Sequence, residues 1–175
     1  MLTNANDDGS SDVISFILRK NFDFGLDLMF SYAYTEAEDV SPMTNSTAQS
    51  NFDNVATLDI NNVKAGNSNY VVPHRMTFKA SYGHDFFDGL TSRFTLLGYA
   101  SEGQPQSYVM SGSDLEGDGF FGRHPLYVPT GANDPNVVFT DSFDQAAFFA
   151  FVNHEDLRGG FADRNETNSQ WSYRL

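Results

Sequence analysis

Between Gly25 and Ala37 the chain reads GLDLMFSYAYTEA, a strand-length run with a period of two. Leu26, Leu28, Phe30, Tyr32 and Tyr34 fall on one side, and Asp27, Met29, Ser31, Ala33 and Thr35 on the other. Successive side chains of a β-strand point to opposite faces, so the run predicts a strand with one apolar-aromatic face and one small or polar face. A strand of a soluble domain, packed on one side and solvated on the other, fits this pattern. So does a strand that crosses an outer membrane, apolar toward lipid, polar toward a lumen and aromatic at the interface. Periodicity alone leaves both open.

Four other segments carry strand signals. Residues 11–20 (SDVISFILRK) place Ile14, Phe16 and Leu18 on one face, and the short link Asn21-Phe22-Asp23-Phe24 predicts an antiparallel hairpin with 25–37. Residues 74–87 set Met76, Phe78, Ala80 and Tyr82 against Arg75, Thr77, Lys79 and Ser81. The link Phe87-Asp88-Gly89-Leu90 supplies a turn glycine before a strand over 91–108, with Phe94, Leu96 and Gly98 outward. Leu97 and Tyr99 weaken its alternation, and Ser107 and Tyr108 are expected to continue it past Gly103-Gln104-Pro105. Residues 169–175 (SQWSYRL) begin a fifth strand. Two long polar stretches, 38–73 and 109–168, separate these hairpins, and Asp144 to Leu157 is the helical candidate of the second. Asp144 would cap or open that helix, and Gly159 and Gly160 would stop it. The expected fold class is all-β, an antiparallel meander of about five strands.

Composition narrows the functional classes. A net charge of −13 leaves no basic stripe to neutralise phosphates, which argues against a nucleic-acid partner. The chain has no cysteine, so thiolate metal sites, thiol nucleophiles and disulfides are excluded. No apolar run reaches the roughly 20 residues of a membrane helix, but alternating strands hide a lipid face from hydropathy. The opening residues MLTNANDDGSSD show neither a basic n-region nor an apolar h-region, so no signal peptide is expected in this chain.

The links alternate short, long, short, long, as in outer-membrane barrels with tight periplasmic turns and long outer loops. Aromatic residues gather at both strand ends. Phe22, Phe24, Phe86 and Phe87 lie by the short turns, and Tyr32 and Tyr34 toward the long loops. With Tyr82 and Trp171 they are candidate membrane-interface aromatics. Arg75, Lys79 and Arg93 are candidate lumen-facing cations.

Candidates for chemistry are few. Asp114-Leu115-Glu116-Gly117-Asp118-Gly119 is like the start of an EF-hand loop, yet its twelfth position is Pro125 where a bidentate glutamate is needed, so it reads as an acidic turn. His74, His84, His124 and His154 lack ligand-type spacing, and His154-Glu155-Asp156 reads as solvated charge. No phosphate-cradling glycine loop or serine elbow is present. No catalytic residue, metal ligand or cofactor site is assigned, and an enzyme is the least supported class.

Longer phrases carry a resemblance. AYTEAEDVSPMTNSTAQSNF (33–52), SNYVVPHRMTFKASY (68–82), GQPQSY (103–108), LYVPTGANDPNVVF (126–139), FDQAAFFAFVNHEDLRGG (143–160) and RNETNSQWSYRL (164–175) are similar, in order, to stretches of Oar-like TonB-dependent outer-membrane receptors. The resemblance implies a 22-stranded barrel with an N-terminal plug, located in the bacterial outer membrane, that imports a bulky ligand with energy delivered through TonB. The sequence shows no plug, TonB-contacting segment or terminal aromatic strand, so it corresponds to a late portion of such a barrel. On that reading outer-membrane lipid is its direct partner, and the TonB complex acts only through parts of the intact receptor. About five strands are too few to close a barrel, whose smallest single-chain form has about eight, and this chain alone is not expected to transport. The loops would meet the ligand, and their Asn, Asp and Tyr content suits a sugar or a peptide. Two other readings stay open: a soluble, adhesin-like β-rich binding module, and an oligomeric pore in which several copies share one barrel.

Overall fold

The computed structural model describes residues 9–175 apart from 42, 44, 88, 113, 118, 120, 153–157 and 169, with backbone alone at 167–168. It is mostly β and antiparallel. β1 (Ser10–Asn21) and β2 (Leu26–Asp39) form the first hairpin. Gly25 closes its turn at φ 94, donating its N–H to Phe22 O at 3.0 Å. A Cβ there would collide with Gly83 O, so both the positive φ and the close approach require glycine.

The first long excursion is more structured than a bare loop. It holds helix α1 (Ala48–Asp53), a 3-10 turn at Ile60–Asn62 and the short β3 (Gly66–Asn67), which pairs with the end of β2. β4 (His74–Phe87) and β5 (Leu90–Ser101) form the second hairpin around Gly89 at φ 77, with a bulge between Asp85 and Phe87. The fourth strand ends there, earlier than expected. After a break at Glu102, the chain resumes as β6 (Pro105–Gln106), which leaves the main sheet, and Ser107 and Tyr108 lie beyond it. Pro105 lacks an N–H, which disfavours unbroken continuation of a ladder.

The second excursion carries β7 (Tyr127–Val128), α2 (Gln145–Phe151), β8 (Gly160–Phe161) and β9 (Thr167–Asn168). β7 pairs β8, and β6 pairs β9, so two small ribbons fold this loop back on itself. Asp144 does cap α2, its Oδ1 accepting from Ala147 N at 2.9 Å. The helix ends at Val152 rather than at the glycines, and Gly160 instead opens β8. Residues 153–157, which include His154-Glu155-Asp156, lie outside the described residues. β10 (Ser172–Arg174) completes the main sheet, whose order is β1-β2-β4-β5-β10 with β3 beside β2. The last strand is thus shorter than expected, with Trp171 just before it.

Register decides the faces. Leu18↔Phe30↔Phe78↔Gly98 and Phe16↔Tyr32↔Met76↔Ala100 form rows across four strands, as do Leu28↔Ala80↔Leu96 across three. Partners directly opposite share a face, so one side of the sheet is apolar and aromatic from β1 to β5. Nothing among the described residues packs over it: Ile14, Phe16, Leu18, Phe94 and Leu96 are each more than half exposed. The buried hydrophobic side chains, Val55, Val71, Val128 and Val152, all lie in the two excursions. The loops have a core, and the sheet does not. Closure into a barrel is not seen among the described strands.

Candidate functional site

The apolar face is bordered at both ends by rings. At the long-loop end His74 stacks on Trp171 at 6.0 Å between ring centres, and Trp171 on Tyr173 at 6.1 Å. Tyr34 lies 5.2 Å from the His74 ring, and the Tyr32 hydroxyl is 2.8 Å from His74 Nδ1. At the short-turn end Phe22 and Phe24 lie 5.3 Å apart, and Lys20 sits over Phe22. Tyr82, His84, Phe86 and Phe94 form a chain of ring contacts, each link between 4.8 and 6.2 Å. Phe87 is exposed beside the turn, past the bulge. Of the eight interface candidates, Phe22, Phe24, Tyr34, Phe86, Phe87 and Trp171 lie at the two ends of the sheet, while Tyr32 and Tyr82 sit inside its ladders, opposite Phe16 and Phe94, and reach those borders through His74 and His84. Tertiary pairing adds His74, His84 and Tyr173, which sequence reading left out.

The opposite face is mixed and more polar. Arg75 faces Ala33 and Ser101, Lys79 faces Met29 and Leu97, and Arg93 faces Gly83, so the three cations share one side. Arg93 Nη1 reaches Asp27 Oδ2 at 3.4 Å, and the Ser81 and Thr95 hydroxyls are 2.8 Å apart. Val13, Ile17, Leu97 and Tyr99 interrupt the polarity of this side.

Above the long-loop end the two excursions lock together. Arg164, with a side chain only 7% exposed, donates from Nη1 to Val40 O at 3.0 Å. Its Nη2 donates to Gly66 O at 2.9 Å, to Asp39 Oδ1 at 3.1 Å and to Asp39 O. Next to it Asn165, at φ 58, donates from Nδ2 to Asn67 O at 2.6 Å and to Asn69 Oδ1, and its N–H donates to Ser107 Oγ at 2.9 Å. Asparagine tolerates this left-handed backbone better than most residues. Arg123, also buried, pairs with Glu116 Oε2 at 2.7 Å. Asp114 Oδ2 accepts from Gly119 N at 3.1 Å. Asp114 and Glu116 of the EF-hand-like run are thus engaged in holding the loop, and among the described residues no cluster of metal-ligating groups forms.

These locks border a cleft of about 370 Å³ between the excursions. Its walls come from the end of α1, from β6 and its sequel, and from Arg123, Arg164 and Asn165. Sequence reading found none of these residues. A buried arginine that binds backbone carbonyls across more than a hundred residues leaves no local pattern.

A second knot stiffens the loop beside β7. Asp134, 4% exposed, accepts at Oδ2 from Thr130 N at 2.8 Å, Thr130 Oγ1 at 3.0 Å and Tyr127 OH at 3.1 Å, and at Oδ1 from Asn136 N at 2.8 Å. The run Asp134-Pro135-Asn136 is a turn signal, so this knot was legible in principle. The backbone N–H groups of Thr130 and Asn136, more than the hydroxyls, hold the carboxylate at about 2, below the usual 3.8. A depressed carboxylate contributes stability that is fully present above its unfolded value and is lost as pH falls through the folded value. Amide exchange at Thr130 and Asn136 is therefore expected to stay slow relative to Asp134→Asn down to about pH 4, the unfolded range. That protection should vanish near pH 2. Equal exchange in the two proteins at pH 6 would refute it.

No family model, no curated protein and no solved structure matches the chain.

Proposed function

We propose that this chain is a wall segment of an outer-membrane receptor barrel of the TonB-dependent kind, whose two excursions face outward and meet the ligand. The observation that carries this reading is the continuous, uncovered apolar face between two aromatic borders. Soluble monomers rarely expose contiguous apolar patches beyond a few hundred Å². A soluble sandwich would lay a second sheet on such a face. From His74 to His84 the strand spans ~33 Å at ~3.3 Å per residue, and a tilt of ~40° reduces this to ~25 Å, the height of a barrel's apolar band. The main strands, at 12 and 14 residues, are long enough for a tilted crossing, which needs about 9–11.

In this arrangement Arg75, Lys79 and Arg93 face the lumen, and lipid contacts Phe16, Phe30, Phe78 and Leu96. β1 pairs on one side only among the described strands, so further strands must complete the ladder within lipid, where each unpaired backbone group costs several kcal/mol. Import of a bulky ligand, and coupling to TonB, belong to the closed receptor.

Lipid quenching tests the orientation. In a Trp171→Phe background, Phe78→Trp should be quenched strongly by lipids brominated at mid-chain, and Thr77→Trp, one residue away on the other face, only weakly. A monodisperse, cooperatively melting monomer without detergent would overturn the reading in favour of the soluble module. Discrete homo-oligomers in detergent, with both tryptophans placed as above, would replace the receptor with a self-assembled pore.

A further inference from the structure

The cleft between the two excursions has open hydrogen-bonding groups of both kinds. Most polar side chains around it are committed: Arg164 and Asn165 to the lock, Arg123 to Glu116. Asp53 and Gln106, both exposed, make no side-chain hydrogen bond among the described residues. Asn54 uses only its Nδ2, donating to Ser50 O at 2.6 Å, so its Oδ1 is left to accept. Arg164 Nε, buried in the wall, has no hydrogen-bond partner among the described residues.

We propose that this cleft binds a short, extended peptide bearing a cationic side chain, with Gln106 and Asn54 pairing to its backbone and Asp53 to its ammonium group. A primary amide offers a donor and an acceptor side by side, the same pair that a peptide unit presents. Val109 and Pro105 give the peptide's apolar side chains a surface. The Asp53 carboxylate selects a cation, and the net charge of −13 steers cations to the surface and anions away. No aromatic residue is among the described lining residues, so a sugar ring finds no stacking platform. A volume of about 370 Å³ is at the small end of ligand pockets, ~300–1,000 Å³, which suits a few residues and not a folded partner.

This inference rests on the receptor reading only in taking the excursions as the ligand-facing side. The two fail separately, because lipid quenching probes the sheet and peptide titration probes the cleft. The probe is acetyl-Ala-Lys-Ala-Lys-amide, titrated into the full chain in detergent micelles while amide shifts of Asn54, Asn69, Gln106 and Ser107 are followed. Saturable shifts at these four are expected, with Kd raised about tenfold or more by Asp53→Asn and several-fold by Gln106→Ala. Both side chains are exposed, and unchanged spectra for β2 and β4 will confirm that the variants fold. No saturation at millimolar peptide overturns the proposal. Binding equally tight for an all-alanine peptide, or indifferent to both variants, also overturns it. Shifts produced by maltotetraose and not by the peptide would assign the cleft to a sugar and overturn it as well.

Discussion

Replacing Phe30 with arginine is expected to weaken folding into lipid strongly, in the closed barrel to which this segment is proposed to belong. Phe30 sits in the middle of the apolar row, between Leu18 on β1 and Phe78 on β4. An arginine facing lipid at mid-depth costs about 2–4 kcal/mol, a loss of ~30- to 1,000-fold in the folding equilibrium. Ser31→Arg, one residue along on the polar face, is expected to fold nearly as the parent does. Tryptic protection in vesicles measures both, and equal protection of the two variants would show that the faces are not distinguished by lipid. The asymmetry is informative because a water-soluble sheet with both faces solvated would accept either arginine.

Arg164→Ala has the next largest expected effect, and it falls on the loops and not on the main sheet. Removing the guanidinium leaves the carbonyls of Asp39, Val40 and Gly66 without their donor and the Asp39 carboxylate without its cation. Breaking a buried pair from one side costs about 3–5 kcal/mol, and the partly open surroundings of Asp39 point to the lower figure. The Ser68 amide, which donates to Ala37 O at 2.8 Å, should then exchange on the order of a hundredfold faster, as should Asn165. Arg164→Lys should not restore protection, because one ammonium cannot reproduce a planar fork aimed at several acceptors. Exchange in β2 and β4 below the lock should hardly change. If Arg164→Ala leaves Ser68 exchange as it was, the two excursions are not held by this residue.

The hairpins were legible because their cause is local. Period-two alternation from Ile14 to Leu18, Leu26 to Tyr34 and Met76 to Tyr82 names the two faces of the sheet, and Gly25 and Gly89 mark the turns. The fourth strand was overextended because Leu97 and Tyr99 blur its alternation and Pro105 hands the chain to another partner. The helix was overextended for a related reason. Asp144 states a start, but no residue type marks the end of the helix at Phe151, and the glycines at 159 and 160 come too late to set it.

By itself the sequence determined the strands, their two faces, the turns and the acidic charge that disfavours nucleic acid. These follow from the geometry of single strands and from composition, which need no knowledge of neighbours. Only the tertiary structure decided that the apolar rows of four strands join into one uncovered face, that His74 and Trp171 meet at its border, and that Arg164 and Asn165 close the excursions around a cleft. Those outcomes depend on pairing between residues far apart in the chain, and a linear pattern does not encode which distant carbonyl a buried guanidinium will find.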